Sequence, residues 1–151
     1  MAEAAVWTFF YGSFMNRTVL ARQGVTLGEA EVSRLPGFAI RMQLLSNLVP
    51  DENACVYGIL ARLTHHELGR LYSHLPGTAG DAYHPDAVLV QTRAGDWRPA
   101  LCYIAPPLEP APAATDYLDD LLVAAQEYAF PDWYLHRLEQ ARDGSISRSE
   151  G

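Results

Sequence analysis

An uncharged apolar run that breaks at Tyr11-Gly12-Ser13 constrains this chain more than any other stretch. Val6, Trp7, Phe9, Phe10 and Tyr11 are aromatic or β-branched, the residue types that pack on a pleated surface, so the run is expected to form a buried strand. Gly12 permits a sharp turn that a bulkier residue would resist, and the small and polar residues beyond it suit a short helix from Met15 to Arg22. A strand that passes through a glycine turn into a helix leaves backbone N–H groups without intrahelical partners, gathered at one end. Such donors form a ready cradle for an anion or a carbonyl oxygen. Tyr11, Gly12, Ser13, Phe14 and Met15 are therefore expected to bind a small ligand; the plainer alternative is a strand terminus and nothing more.

Beyond the turn, the hydrophobic pattern passes from strand to helix and back. Residues 29–35 set Ala30, Val32 and Leu35 toward one face, Pro36-Gly37 reads as a turn, and Phe38, Ile40, Met42 and Leu44 recur at period two. Ser46 to Asn53 is polar and is expected as a surface loop, whereas Ala54 to Leu63 is apolar on both sides, as in a strand covered on both faces. Thr64 and Glu67 fit a capping box for a helix with Leu68, Leu71, Tyr72 and Leu75 on its inner face, stopped by Pro76-Gly77. Tyr83–Thr92 and Trp97–Ile104 flank Ala94-Gly95-Asp96 as a hairpin. Pro106, Pro107, Pro110 and Pro112 make a stiff connector to a helix capped by Thr115 or Asp116, with Leu118, Leu121, Leu122 and Ala125 as its buried stripe. Pro131 opens a last helix to about Arg142. Strands in the middle with helices inserted and appended predict an α+β fold, a small twisted, mostly antiparallel β-barrel with peripheral helices. It is expected as one domain over residues 1–142, with 143–151 a disordered tail.

Composition narrows the partners. A chain 49% hydrophobic and 11% aromatic is built to fold. Its net charge of -7, with arginines scattered and lysine absent, opposes a nucleic-acid partner. No run of about 18 apolar residues predicts a membrane span, and Met1 to Ala5 lacks a basic leader, so a cytoplasmic protein is expected. Cys55 and Cys102 fall inside strands and read as buried free thiols. His65 and His66 would point about 100° apart on a helix, with no further Cys or His at ligand spacing, so no metal is expected. Neither a phosphate loop nor a dinucleotide glycine motif is present, so no cofactor is expected.

Tyr11-Gly12-Ser13, Leu35-Pro36-Gly37-Phe38, Asn47-Leu48-Val49-Pro50, the strand Cys55 to Leu60, Tyr117, Ala124-Ala125 and Phe130-Pro131-Asp132-Trp133-Tyr134 follow one another in a telling order. Together they resemble the γ-glutamylcyclotransferase-like family over roughly residues 6 to 140. The resemblance implies a small barrel with its site at one mouth. It also implies a reaction in which the substrate's α-amine attacks its own γ-carbonyl, releasing 5-oxoproline and a free amine. An oriented intramolecular nucleophile has an effective molarity on the order of 10⁵ M or more, so the protein has two tasks left: to take a proton from the ammonium and to stabilise charge on the carbonyl oxygen. The backbone of Gly12 to Met15 suits the second task, with Tyr103 lining the pocket.

For the first task the resemblance implies a glutamate at the end of the helix that starts at Thr64. Here the run is Leu71-Tyr72-Ser73-His74-Leu75-Pro76-Gly77, with Tyr83 after it, so Leu75 or Pro76 holds that place and neither accepts a proton. His74, with an unperturbed pKa of about 6.5, and Asp81 are the substitutes; a solvated helix-end histidine and an exposed loop aspartate are their plain alternatives. Three functions stay open: a cyclotransferase, a non-catalytic ligand-binding homologue, and a divergent biosynthetic enzyme using the same pocket. The expected partner is a small γ-glutamyl amine or related amide, and a homodimer is left open.

Overall fold

The computed structural model describes residues 4–42, 46–73, 83–105 and 115–147. Five strands, β1 (Ala5–Phe10), β2 (Ala30–Met42), β3 (Ser46–Thr64), β4 (His84–Thr92) and β5 (Trp97–Ile104), close a barrel in the order β1-β3-β2-β4-β5. Neighbours are antiparallel except β5 and β1, which meet in parallel at Thr8 and Leu101. Closure leaves the sheet without free edges. A 3-10 turn (Ser13–Met15) and α1 (Arg17–Arg22) follow β1, α2 (His65–Ser73) follows β3, and α3 (Thr115–Glu127) and α4 (Asp132–Ser147) follow β5. The α+β barrel with peripheral helices expected from the sequence is what the chain forms.

The uncharged first run is β1, and Phe9 and Phe10 are both buried because barrel and helices cover its two faces. β3 is the long central strand, pairing with β1 through Ile59 to Thr64 and with β2 over most of its length. Pro36-Gly37 does not turn the chain. Pro36 stays opposite Cys55, the register then slips, Gly37 takes φ +87°, and Phe38 resumes opposite Pro50. Gly37 alone thus faces residues 51–54 of β3, an irregularity within one long strand that uses the same residues as a turn would. Ser46 to Asn53 is likewise strand and not loop: only Pro50 to Asn53 are exposed, while Ser46, Asn47 and Leu48 are buried. Asn47 is polar but satisfied, since its Nδ2 donates to Ala105 O at 2.9 Å and its Oδ1 accepts from Ala105 N at 2.9 Å. Its amide group stands in for a missing ladder partner.

The helices begin and end as their sequences direct. Thr64 and Glu67 form the expected capping box, with Thr64 N donating to Glu67 Oε1 at 2.9 Å and Glu67 N donating to Thr64 Oγ1 at 3.1 Å. Leu68 and Leu71 then bury the inner face of α2. The Leu118, Leu121, Leu122 and Ala125 stripe packs α3 inward. α3 ends with Phe130 N on Ala125 O and Ala129 N on Gln126 O, and Ala129 takes φ 56°. That is a Schellman cap, which most helices give to glycine. Cys102 is buried and Cys55 partly so, and both are free thiols. Among the described residues no helix is long and apolar enough to cross a membrane. The expected Pro76-Gly77 stop and the proline connector lie outside the described residues.

Candidate active site

β1 delivers the chain to the turn at its last rung, Phe10 opposite Ile59. Tyr11, next in line, is buried, and its hydroxyl donates to Tyr103 O on β5 at 2.7 Å. Gly12 is extended, with φ -112° and ψ -151°, a conformation open to any residue. Space is what requires glycine here: a Cβ would lie 2.5 Å from Ser46 Oγ and 2.7 Å from Tyr117 Oη. Ser13 to Met15 then wind into the 3-10 turn, closed by Met15 N on Gly12 O at 3.0 Å and Asn16 N on Ser13 O at 2.9 Å. Gly12 has no side chain with which to cap this turn, and among the described residues the Ser13 and Phe14 amides meet no acceptor. α1 starts later than the sequence suggests, at Arg17, because Asn16 Oδ1 accepts from Thr18 N and Val19 N. Asn16 Nδ2 also donates to Asp120 O on α3 at 3.0 Å, which ties the turn to that helix.

Four distant segments build the facing wall. Ser46, at the start of β3, places its Oγ 2.6 Å from Tyr117 Oη on α3, and its N–H donates to the same oxygen at 3.2 Å. Tyr83, just before β4, donates its hydroxyl to Ser46 O. Tyr72 of α2 stacks on Tyr103 at 3.9 Å between centroids and meets Phe14 edge-on at 5.2 Å. Between turn and wall is a recess of about 40 Å³, lined by Phe10 to Phe14, Ser46, Tyr72, Tyr83 and Tyr117. A water's share of liquid volume is about 30 Å³, so the recess holds one small polar group, such as the carbonyl or carboxylate end of a ligand.

The recess is therefore a ring of neutral hydrogen-bonding groups on an aromatic frame. Removal from water raises the pKa of Tyr11, Tyr72 and Tyr83, and the neighbouring tyrosines add to the effect. Each phenol keeps its proton at neutral pH, Tyr11 giving it to Tyr103 O and Tyr83 to Ser46 O. A stability effect follows. In the unfolded chain these phenols ionise near pH 10, so above about pH 10 the folded state binds more protons than the unfolded one and stability falls as pH rises. The urea midpoint is expected to be level with respect to these groups from pH 7 to about 9 and to drop beyond about 10, with the share of tyrosinate absorbance that belongs to Tyr11, Tyr72 and Tyr83 appearing only as the protein unfolds. Tyrosinate absorbance rising to full amplitude near pH 10 in the folded protein would contradict this.

Of the residues singled out in the sequence, Tyr11, Gly12, Ser13 and Phe14 line the recess. Met15 follows them in the chain but is buried in the core and spends its N–H on Gly12. Tyr103 stands behind the lining as the platform for Tyr72 and the acceptor for Tyr11. His74 and Asp81 lie outside the described residues. Ser46, Tyr72, Tyr83 and Tyr117 complete the wall without having been assigned a role. Their sequence signals are that each tyrosine sits at an end or on the inner face of an expected helix or strand, and that Tyr83 and Tyr117 fall within the family resemblance. Among the described residues no group of His, Cys, Asp or Glu could hold a metal ion.

The family model for gamma-glutamyl cyclotransferase, AIG2-like, matches residues 8–129. No curated protein matches the chain by sequence. Solved structures share its fold, among them the following three. A gamma-glutamyl cyclotransferase superposes with a TM-score of 0.75 at 20% identity, over 89% of this chain and 86% of the other. The protein loc79017 from Homo sapiens gives 0.75 at 20% identity, over 91% and 88%. YkqA from Bacillus subtilis gives 0.78 at 21% identity, over 92% of this chain and 54% of the longer relative.

Proposed function

The chain belongs to the gamma-glutamyl cyclotransferase, AIG2-like family, and on that premise we propose that it converts a γ-glutamyl amide to 5-oxoproline and a free amine. One observation carries this reading: Ser13 and Phe14, whose amides meet no acceptor among the described residues, line a small recess ringed by hydroxyls. As the α-nitrogen attacks, negative charge gathers on the γ-carbonyl oxygen, and fixed backbone donors stabilise it without reorganising. Phe10, Phe14 and Tyr72 exclude water from that side, which strengthens each hydrogen bond. His74 and Asp81 are the proposed candidates for a side-chain base on the ammonium; without one, the fraction of substrate already carrying a neutral amine is the reactive species.

A second reading, a homologue that binds such ligands without turnover, is favoured by one fact. None of the described lining residues carries a carboxylate or imidazole. Losing a general base typically slows a reaction by about 10²–10⁴-fold, which leaves ring closure slow but measurable. Incubation with a panel of γ-glutamyl amines and γ-glutamyl peptides, with 5-oxoproline quantified, separates the two. Release above the uncatalysed rate is expected, and it should fall about 100-fold or more in Ser13→Pro, which lacks the amide proton. Saturable binding with no release would make the binding homologue correct.

A further inference from the structure

We propose that Ser46 and Tyr117 form a two-hydroxyl proton relay that carries a proton from the attacking nitrogen to the leaving nitrogen, an inference that rests on the cyclisation reading above. Their oxygens lie 2.6 Å apart, and either can be the donor. The shared bond uses one proton, so whichever way it points the other hydroxyl proton is left over. Tyr117 Oη also accepts from Ser46 N–H at 3.2 Å, and two lone pairs still allow both arrangements. Both oxygens lie within 2.7 Å of the point where a side chain on Gly12 would begin. Both residues also line the recess, so the pair faces a ligand seated there.

The heavy atoms are pinned while the protons are free to exchange. Tyr117 holds Ser46 through its N–H and its Oγ, Tyr83 holds its carbonyl, and Asn47 anchors the next residue to Ala105 by two bonds of 2.9 Å. Cyclisation needs such a device. As the α-nitrogen bonds to the γ-carbon, one of its protons passes to one hydroxyl oxygen, and that hydroxyl's own proton crosses to the second oxygen. The second hydroxyl gives its proton to the amide nitrogen as the carbon–nitrogen bond breaks. A lactam and a neutral amine leave, and both hydroxyls are restored with the direction of their shared bond reversed. No ionised side chain is consumed.

Among the described residues, the titratable groups packed around the pair are Tyr11 beyond β1, Tyr72 on α2 and Tyr83 before β4, with Tyr103 and Cys102 of β5 behind them. Burial raises the pKa of all five, so none ionises near neutrality. Asp116, Asp119 and Asp120 share α3 with Tyr117 but do not line the recess. The relay takes up a neutral amine, so kcat/KM should climb with pH until the substrate's own α-amine has lost its proton.

The test combines Tyr117→Phe, Ser46→Ala and the double variant with pH profiles and a solvent proton inventory. Each single variant is expected to lower kcat by roughly 100-fold, within the usual range for acid–base groups, with KM changed less than about threefold. The double variant should be no slower than either single one, because the two oxygens act as a unit. The inventory should be curved in the wild type and straight in Tyr117→Phe. Matching amide spectra of variants and wild type show that the fold is kept. The relay is overturned if Tyr117→Phe keeps most of its kcat, if the losses multiply in the double variant, or if kcat/KM levels off near pH 6.5 as a histidine base would require, about that group's unperturbed pKa. A wild type that releases no 5-oxoproline removes the cyclisation reading and the relay with it. An active wild type with an unimpaired Tyr117→Phe removes the relay alone.

Discussion

Gly12→Ala is expected to lower 5-oxoproline release by about 100-fold or more while leaving the barrel folded. The new methyl would lie 2.5 Å from Ser46 Oγ and 2.7 Å from Tyr117 Oη, closer than such carbons pack, so both oxygens must retreat from the recess. The obstructing atoms are the ends of side chains and can give way. The backbone at φ -112° accepts alanine without strain. The stability loss should be about 1 kcal/mol, or roughly 2–4 °C in Tm for a chain of this size. Steady-state rates and a thermal melt on the same preparation check both halves. A variant as active as the wild type would mean that the reacting group sits elsewhere.

Gly58→Ala should reverse that balance, with its largest effect on the fold. A Cβ on Gly58 would run into the Phe10 carbonyl oxygen and lie 2.7 Å and 2.9 Å from Phe9 ring carbons. The carbonyl is backbone, in the last residue of β1, whose partner Ile59 is the very next residue of β3. The carbonyl cannot yield unless β1 and β3 move apart where they hold the turn in place. Overpacking a core costs about 1–3 kcal/mol, and a backbone obstruction belongs at the upper end, so Tm should fall by roughly 6–12 °C. Chemical denaturation measures the same loss as a shift in midpoint without a change in slope. A Tm within about 2 °C of the wild type would contradict the close approach of the two strands.

The parts of the molecule governed by neighbouring residues were legible in the sequence. β1, the Thr64–Glu67 cap, the β4–β5 hairpin and the Leu118 to Ala125 stripe each follow from period or spacing within one segment, and the structure contains all of them. Pro36-Gly37 was ambiguous because turn and bulge ask the same freedom of glycine, and only the partner strand decides between them. Ser46 and Asn47 looked like loop because they are polar. The groups that satisfy them, Tyr117 and Ala105, lie 71 and 58 residues away. The recess shows the same division. Its floor, Tyr11 to Phe14, is continuous in sequence and stood out, whereas its wall joins the ends of α2, β3, β4 and α3 and takes shape only on barrel closure.

The most direct test of this account is a ¹H–¹⁵N titration of the protein with glutaramate, which keeps the amide carbonyl of a γ-glutamyl amide but lacks the α-amine and so cannot cyclise. If the turn after Gly12 cradles that carbonyl, the Ser13 and Phe14 amide resonances will move most, saturably, and the shifts will be lost in Gly12→Ala. Saturable shifts centred elsewhere on the barrel, with Ser13 and Phe14 unmoved, would contradict it.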